Sequence, residues 1–222
     1  MPASRSYYTL VTSLPPLPDF EVADRLPINR HRLRERLQML NPDDHAEAHR
    51  ATAFLSWQAQ PVTRTDREIV GHYRRVVAEV RNPTLRWLLT FRLERRTVQA
   101  ALRRRHLGLP APEGTDWGVG PVVRSIQQRW SQPDFGLTPV YPWIPKMVGL
   151  LEAGDTMGLE RLLMRTVWDH HSRLAEPFGF RFEAVLIYLF KWDILSRWLA
   201  QDAAAAATRF ADLVGEIVND AA

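Results

Sequence analysis

The chain has 222 residues, 45% of them hydrophobic and 24% charged, with no cysteine and a formal net charge of +4. This composition is typical of a soluble globular protein, and the lack of cysteine excludes a disulfide framework or a thiolate zinc site. The longest apolar run, residues 184–190, is too short to span a membrane, and the first residues lack the apolar stretch of a secretory signal. We therefore expect a cytoplasmic protein.

The first distinctive segment is RSYYTLVTSLPPLPDF, residues 5–20, in which a β-branched run leads into three prolines. Its apolar residues recur at the helical spacing i, i+3, i+4, i+7: Tyr7, Leu10, Val11 and Leu14. We predict a short helix or an extended arm that packs against the C-terminal helices and ends at Pro15-Pro16.

Apolar periodicity then predicts helices over residues 30–40, 42–57, 65–80, 83–106 and 121–130. The pairs Asn41-Pro42 and Asn82-Pro83 are typical of an N-cap followed by a helix-starting proline. Thr65 and Glu68 have the spacing of a capping box. Gly108 is the expected end of the fourth of these helices.

Further helices are predicted over residues 145–153, from Gly154-Asp155 to the break at Pro177-Phe178-Gly179, and over 181–200 and 203–219. No later segment shows the alternation of a strand, so we predict an all-α fold, a helical bundle of about two lobes. The loop 108–118 suggests lobes over 1–110 and 111–222, with one continuous domain as the alternative.

Two histidine pairs are candidate metal ligands. His45 and His49 lie four residues apart on one helix face, but Glu47 between them faces elsewhere, so we interpret the pair as solvated surface. His170 and His171 diverge by about 100° around a helix, and we interpret His170 as a partly buried, satisfied side chain. The sequence has no phosphate loop, dinucleotide fingerprint or nucleophile elbow, so we predict no metal, no cofactor and no enzyme.

Arginines are concentrated in the helix 83–106, in the runs 92–96 and 103–106. They form either a solvated face or a patch that docks an acidic partner or nucleic acid. Because 25 acidic residues are interspersed along the chain, charge alone is weak support for nucleic-acid binding. An arginine-rich helical nucleic-acid-binding protein is nevertheless the alternative function.

Tryptophans mark the helix 181–200. Trp192 and Trp198 are six residues apart and lie on different sides of it. This placement suggests that another protein buries one side of the helix.

Three segments and the YYTLV start together resemble the C subunit of V/A-type ATPases, called d in eukaryotes. The segment 91–110 is similar to a helix of that subunit, 150–174 to its short turn and following helix, and 182–200 to its C-terminal helix. The positions that carry the resemblance are Glu94, Arg96, Thr97, Leu102-Arg103, Glu183, Tyr188, Lys191 and Asp193. The similarity is closest to a short, uncharacterised bacterial family whose genes tend to accompany V-type ATPase operons.

The resemblance implies a non-catalytic adaptor that links the central stalk of the ATPase to its membrane rotor ring. The partners it implies are stalk and ring subunits, with peripheral attachment at the inner face of the cell membrane and no inserted segment. The C subunit has three lobes, whereas this chain has room for about two. Residues expected to contact a partner, or to form ion pairs between lobes, are Glu94, Arg96, Arg103, Lys191 and Asp193.

Overall fold

The computed structural model describes the backbone of residues 6–58 and 65–220 and the side chains of 6–55, 65–175 and 177–201. The described residues form an all-α protein, which confirms the predicted fold class. Its helices are α1 (Tyr8–Ser13), α2 (Arg30–Leu37), α3 (Pro42–Gln58), α4 (Asp66–Glu79), α5 (Pro83–His106), α6 (Val122–Gln128), α7 (Ile144–Glu152), α8 (Thr156–Ala175) and α9 (Phe182–Asp220). None of these described helices combines the length and apolar composition that a membrane span requires.

The predicted helix starts are confirmed by their capping hydrogen bonds. The Asn82 side chain accepts from the backbone N–H of Leu85, and Thr65 and Glu68 form the complete capping box. Gly108 follows α5 with φ of +69°, a left-handed conformation in which glycine carries no Cβ penalty.

One predicted break is wrong. The sequence suggested separate helices over 181–200 and 203–219, but α9 continues through this point as one helix of 39 residues. The alanines that follow Asp202 have the highest helix propensity, and no glycine or proline interrupts them.

Contacts group the chain into two compact units, the first comprising Met1–His45 with Leu174–Ala222 and the second Ala46–Arg173. This grouping differs from the predicted lobes 1–110 and 111–222. The reason is that the N-terminal segment packs against the C-terminal helix, so the two ends of the sequence share one unit.

In the first unit, α1 packs as predicted and the prolines follow it. Leu10 is buried, the Tyr7 N–H donates to the Phe180 carbonyl at 2.7 Å, and the Tyr188 hydroxyl donates to the Pro15 carbonyl at 2.9 Å. An isolated antiparallel bridge joins Ser6 to Arg181, and no strand forms among the described residues.

The α9 tryptophans also contact the N-terminal segment. The Trp192 indole N–H donates to the Ile28 carbonyl at 2.8 Å, and the ring centroids of Trp198 and Phe20 are 5.2 Å apart. The N-terminal segment therefore accounts for the burial of Trp192 without a partner protein, and it contacts the partly buried Trp198.

The second unit contains a core built from α5 to α8 and the proline-rich connection before α7. Its buried members include Val98, Leu102, Ile126, Phe135, Ile144, Met147 and Leu159. The connection is packed, and Phe135 is fully buried. This core fixes the position of α5, which carries most of the predicted site residues.

Candidate protein-interaction surface

Helix α5 separates the predicted site residues into two groups. Its buried face includes Leu93, Thr97 and Ala101. Arg96, Ala100, Arg103 and Leu107 follow one another at spacings of three and four residues and therefore form a row on another face. Arg96, Arg103 and Leu107 are exposed, and we call this set of four the α5 row.

Glu94 lies outside the α5 row and contacts the rest of the unit. It is half-buried beside Gly120, where a Cβ atom would overlap its carboxylate. Burial raises the pKa of Glu94, and a hydrogen bond from Tyr141 opposes that shift. Burial and the nearby Glu94 raise the pKa of the Tyr141 phenol to about 12, so this phenol is a donor at neutral pH. Glu94 thus packs against the loop before α6 and accepts a hydrogen bond from Tyr141.

Thr97 fixes the same loop. It is buried, its hydroxyl donates to the Leu93 carbonyl at 2.9 Å, and it accepts from the Val119 N–H at 2.9 Å. A Cβ at Gly118 would overlap the Thr97 methyl group. Two of the residues that carry the resemblance therefore attach residues 118–120 to α5.

Most arginines of α5 are used inside the fold. Arg92 is buried, and four others donate to main-chain carbonyls: Arg86 to Val80, Arg95 to Leu163, Arg104 to Pro110 and Arg105 to Gln132. These bonds hold loops and neighbouring helices. The arginine runs are therefore not one solvated face, and the exposed cations of the α5 row are Arg96 and Arg103.

These two arginines influence each other. Partial desolvation lowers the pKa of Arg96, Asp66 opposes this effect, and the positive charge of Arg103 lowers the pKa further. Seven residues of helix separate them, a rise of about 10 Å. The α5 row thus presents two cations with net repulsion between them.

A groove of about 350 Å³ lies at the C-terminal end of the α5 row. Its lining includes Arg103, His106, Leu107, Leu150, Leu151 and Leu159. Leu150 and Leu151 are partly buried and pack against the core that contains Leu159. The groove floor is therefore a continuation of the apolar core that reaches the surface.

The rim of the groove carries an exposed leucine, the cation Arg103 and one acid, Asp155. The Leu107 side chain is 69% exposed, which is unusual for a large aliphatic residue in a packed unit. The acid at the rim, Asp155, already accepts from the Gly158 N–H at 2.8 Å and so caps α8. Sequence reasoning singled out Arg103 but missed the leucines, whose signal was the pair Leu150-Leu151 directly before the turn at Gly154.

Lys191 and Asp193 lie in the other unit, on the half-buried part of α9. The Asp193 carboxylate accepts from Arg197, four residues later, at 2.6 Å. This ion pair lies within one helix. Glu94, Arg96 and Arg103 therefore belong to the second unit, and Lys191 and Asp193 to the first.

The histidines occupy different environments. His45 and His49 are exposed, whereas Glu47 between them is buried. His170 is half-buried and stacks on Phe91 with centroids 4.0 Å apart, and burial lowers its pKa. Within the described part of the chain, no group of three or more His, Cys, Asp or Glu side chains is placed to hold a metal ion.

The fold and this surface define an all-α protein with an exposed groove lined by leucine and arginine. The chain belongs to the family described as protein of unknown function DUF2764, whose model matches residues 33–221. Neither the curated proteins nor the solved structures contain a significant match to the chain.

Proposed function

We propose that the chain is a non-catalytic, C/d-like subunit or accessory factor of a V/A-type rotary ATPase, linking the central stalk to the membrane rotor ring. One observation carries the proposal. Of the α5 residues in the resemblance, Thr97 bonds to the 118–120 loop and Glu94 packs against it, while Arg103 lines the groove and Arg96 is exposed two helical turns before it. An adaptor needs this combination of a rigid helical scaffold and exposed contact residues.

The general features support the same role. Arginine is enriched among the residues that dominate the binding energy of protein interfaces, and covering exposed apolar surface adds favourable free energy. The groove offers both, through Arg103 and its leucines. The proposed location is the cytoplasm, with peripheral attachment to the membrane rotor through partner subunits.

The alternative, nucleic-acid binding, is weakened by the use of the α5 arginines. Binding to a phosphate backbone depends on the number of free cations that can neutralise phosphates. Five of the seven α5 arginines are buried or donate to main-chain carbonyls. These guanidinium groups keep their positive charge, but the contacts inside the protein leave fewer of their N–H donors for phosphate oxygens.

The test is a pull-down of tagged full-length protein from its native cell, with the retained stalk and ring subunits measured by mass spectrometry. We expect the wild type to retain them and the double variant R96E/R103E to retain about tenfold less. R75E, an exposed arginine on α4, is the matched control and should behave as wild type. Failure of the wild type to retain any ATPase subunit would overturn the proposal.

A further inference from the structure

We propose that the groove beside Arg103 binds an acidic amphipathic helix of a partner protein. Its apolar side chains would contact the groove leucines and its carboxylates would face Arg103 and Arg96. This inference rests on the proposed adaptor function and specifies the chemistry of the partner segment.

The apolar component follows from the floor of the groove. Leu107, Leu150 and Leu151 border one concavity whose base reaches the buried Leu159. Because Leu107 is 69% exposed, a partner that covers it removes apolar surface from water. Helices commonly bind such grooves through apolar residues at i, i+3, i+4 and i+7.

The acidic component follows from the charges around the same concavity. Arg103 and His106 line it together with Asp155, and the Asp155 carboxylate caps the N-terminus of α8, whose dipole offsets part of its negative charge. Arg96 lies two helical turns further along the α5 row, and Arg103 already lowers its pKa by repulsion. Carboxylates on a partner helix would relieve that repulsion.

The geometry also favours a helix as the occupant. Arg96 and Arg103 are seven residues apart in a row parallel to the α5 axis. Acids at positions i and i+7 of a partner helix lie on one of its faces with the same rise, about 10 Å. A helix lying along the α5 row can therefore place one acid at each arginine and its apolar stripe over the groove.

The experiment measures fluorescence anisotropy of labelled designed peptides with the purified full chain. The main probe is a glutamate–leucine amphipathic helix of about three heptads. The comparison probes are its scrambled sequence, a version with lysine in place of glutamate, and a single-stranded oligonucleotide. We expect the glutamate–leucine helix to bind about tenfold tighter than each comparison probe, and the affinity to fall as salt is added.

Two variants locate the binding on the groove. R103E and L107S should each weaken the glutamate–leucine probe about tenfold. The controls are R75E and V140S, and Val140 has the same 69% exposure as Leu107 but does not line the groove. Melting temperatures equal to that of the wild type would show that the variants fold.

Three outcomes would overturn the inference: equal binding of the scrambled or lysine probe, tighter binding of the oligonucleotide, or unchanged affinity in both R103E and L107S. Retention of ATPase subunits in the pull-down without binding of the acidic helix would refute this inference alone. Binding of the acidic helix without retention of ATPase subunits would refute the adaptor function and leave the groove assignment supported.

Discussion

At the residue scale, the loop between α5 and α6 depends on Gly120. Its φ is +84°, a region that costs a residue with a side chain about 1–2 kcal/mol, and the Glu94 carboxylate occupies the space that a Cβ would need. Glycine is therefore required here for two independent reasons, backbone conformation and close approach to α5.

We expect Gly120→Ala to lower the free energy of unfolding by about 3 kcal/mol, from the strained φ and the overlap with Glu94 together. Urea denaturation monitored by circular dichroism measures it. Gly71→Ala is the matched control, because Gly71 lies within α4 with open space around its Cβ position. That change should stabilise by about 0.5–1 kcal/mol, and equal effects of the two variants would contradict the explanation.

At the element scale, a buried carboxylate holds the turn between α4 and α5. Glu47 on α3 is 5% exposed and accepts from the backbone N–H of Arg81 at 3.0 Å and of Asn82 at 3.3 Å. Arg50 pairs with the same carboxylate at 3.2 Å. The single side chain thus links three helices of the second unit.

Glu47→Ala should therefore destabilise the protein by about 3 kcal/mol, because it leaves two backbone donors without their acceptor and removes the nearer of the two carboxylates that pair with Arg50. Glu79→Ala is the control, since the Glu79 side chain is 70% exposed and pairs more loosely with Arg50, at 3.7 Å. Its expected effect is below about 1 kcal/mol. Thermal unfolding of both variants measures the difference in stability. A Glu47→Ala protein as stable as Glu79→Ala would show that Glu47 does not hold the turn between α4 and α5.

The elements also differ in how far the sequence predicted them. The starts of α4 and α5 were predictable because Thr65, Glu68 and Asn82 act on backbone groups within three residues. The role of Glu47 was not predictable, because the backbone N–H groups that donate to its carboxylate, those of Arg81 and Asn82, are more than thirty residues away. The sequence placed Glu47 away from the histidine face, and the structure then identified what it binds.

At the scale of the whole molecule, stability should depend on pH through His171. This side chain is 1% exposed, and burial, followed by the charges of His170, Arg92 and Arg95, lowers its pKa from 6.5 to about 3. Between these pH values the unfolded chain binds a proton that the folded chain does not. Folding stability is therefore lost as the pH falls below about 6.5.

We expect a loss of about 2 kcal/mol between pH 7 and pH 5 from this group, measured by urea denaturation at each pH. His171→Gln should flatten this part of the pH profile, with the lowered pKa of His170 leaving a smaller residual slope. His49→Gln changes an exposed side chain and should leave the slope unchanged. An unaltered slope in His171→Gln would show that other groups cause the acid sensitivity.

The sequence by itself determined the helices, most of their caps and the all-α class, because helical periodicity and capping act between residues at most four apart. Only the tertiary structure decided which arginines are exposed. Arg95 and Arg105 resemble Arg96 and Arg103 in sequence, yet they bind the carbonyls of Leu163 and Gln132. Those acceptors are brought to α5 by packing, so the groove and its two exposed cations depend on contacts that no local pattern encodes.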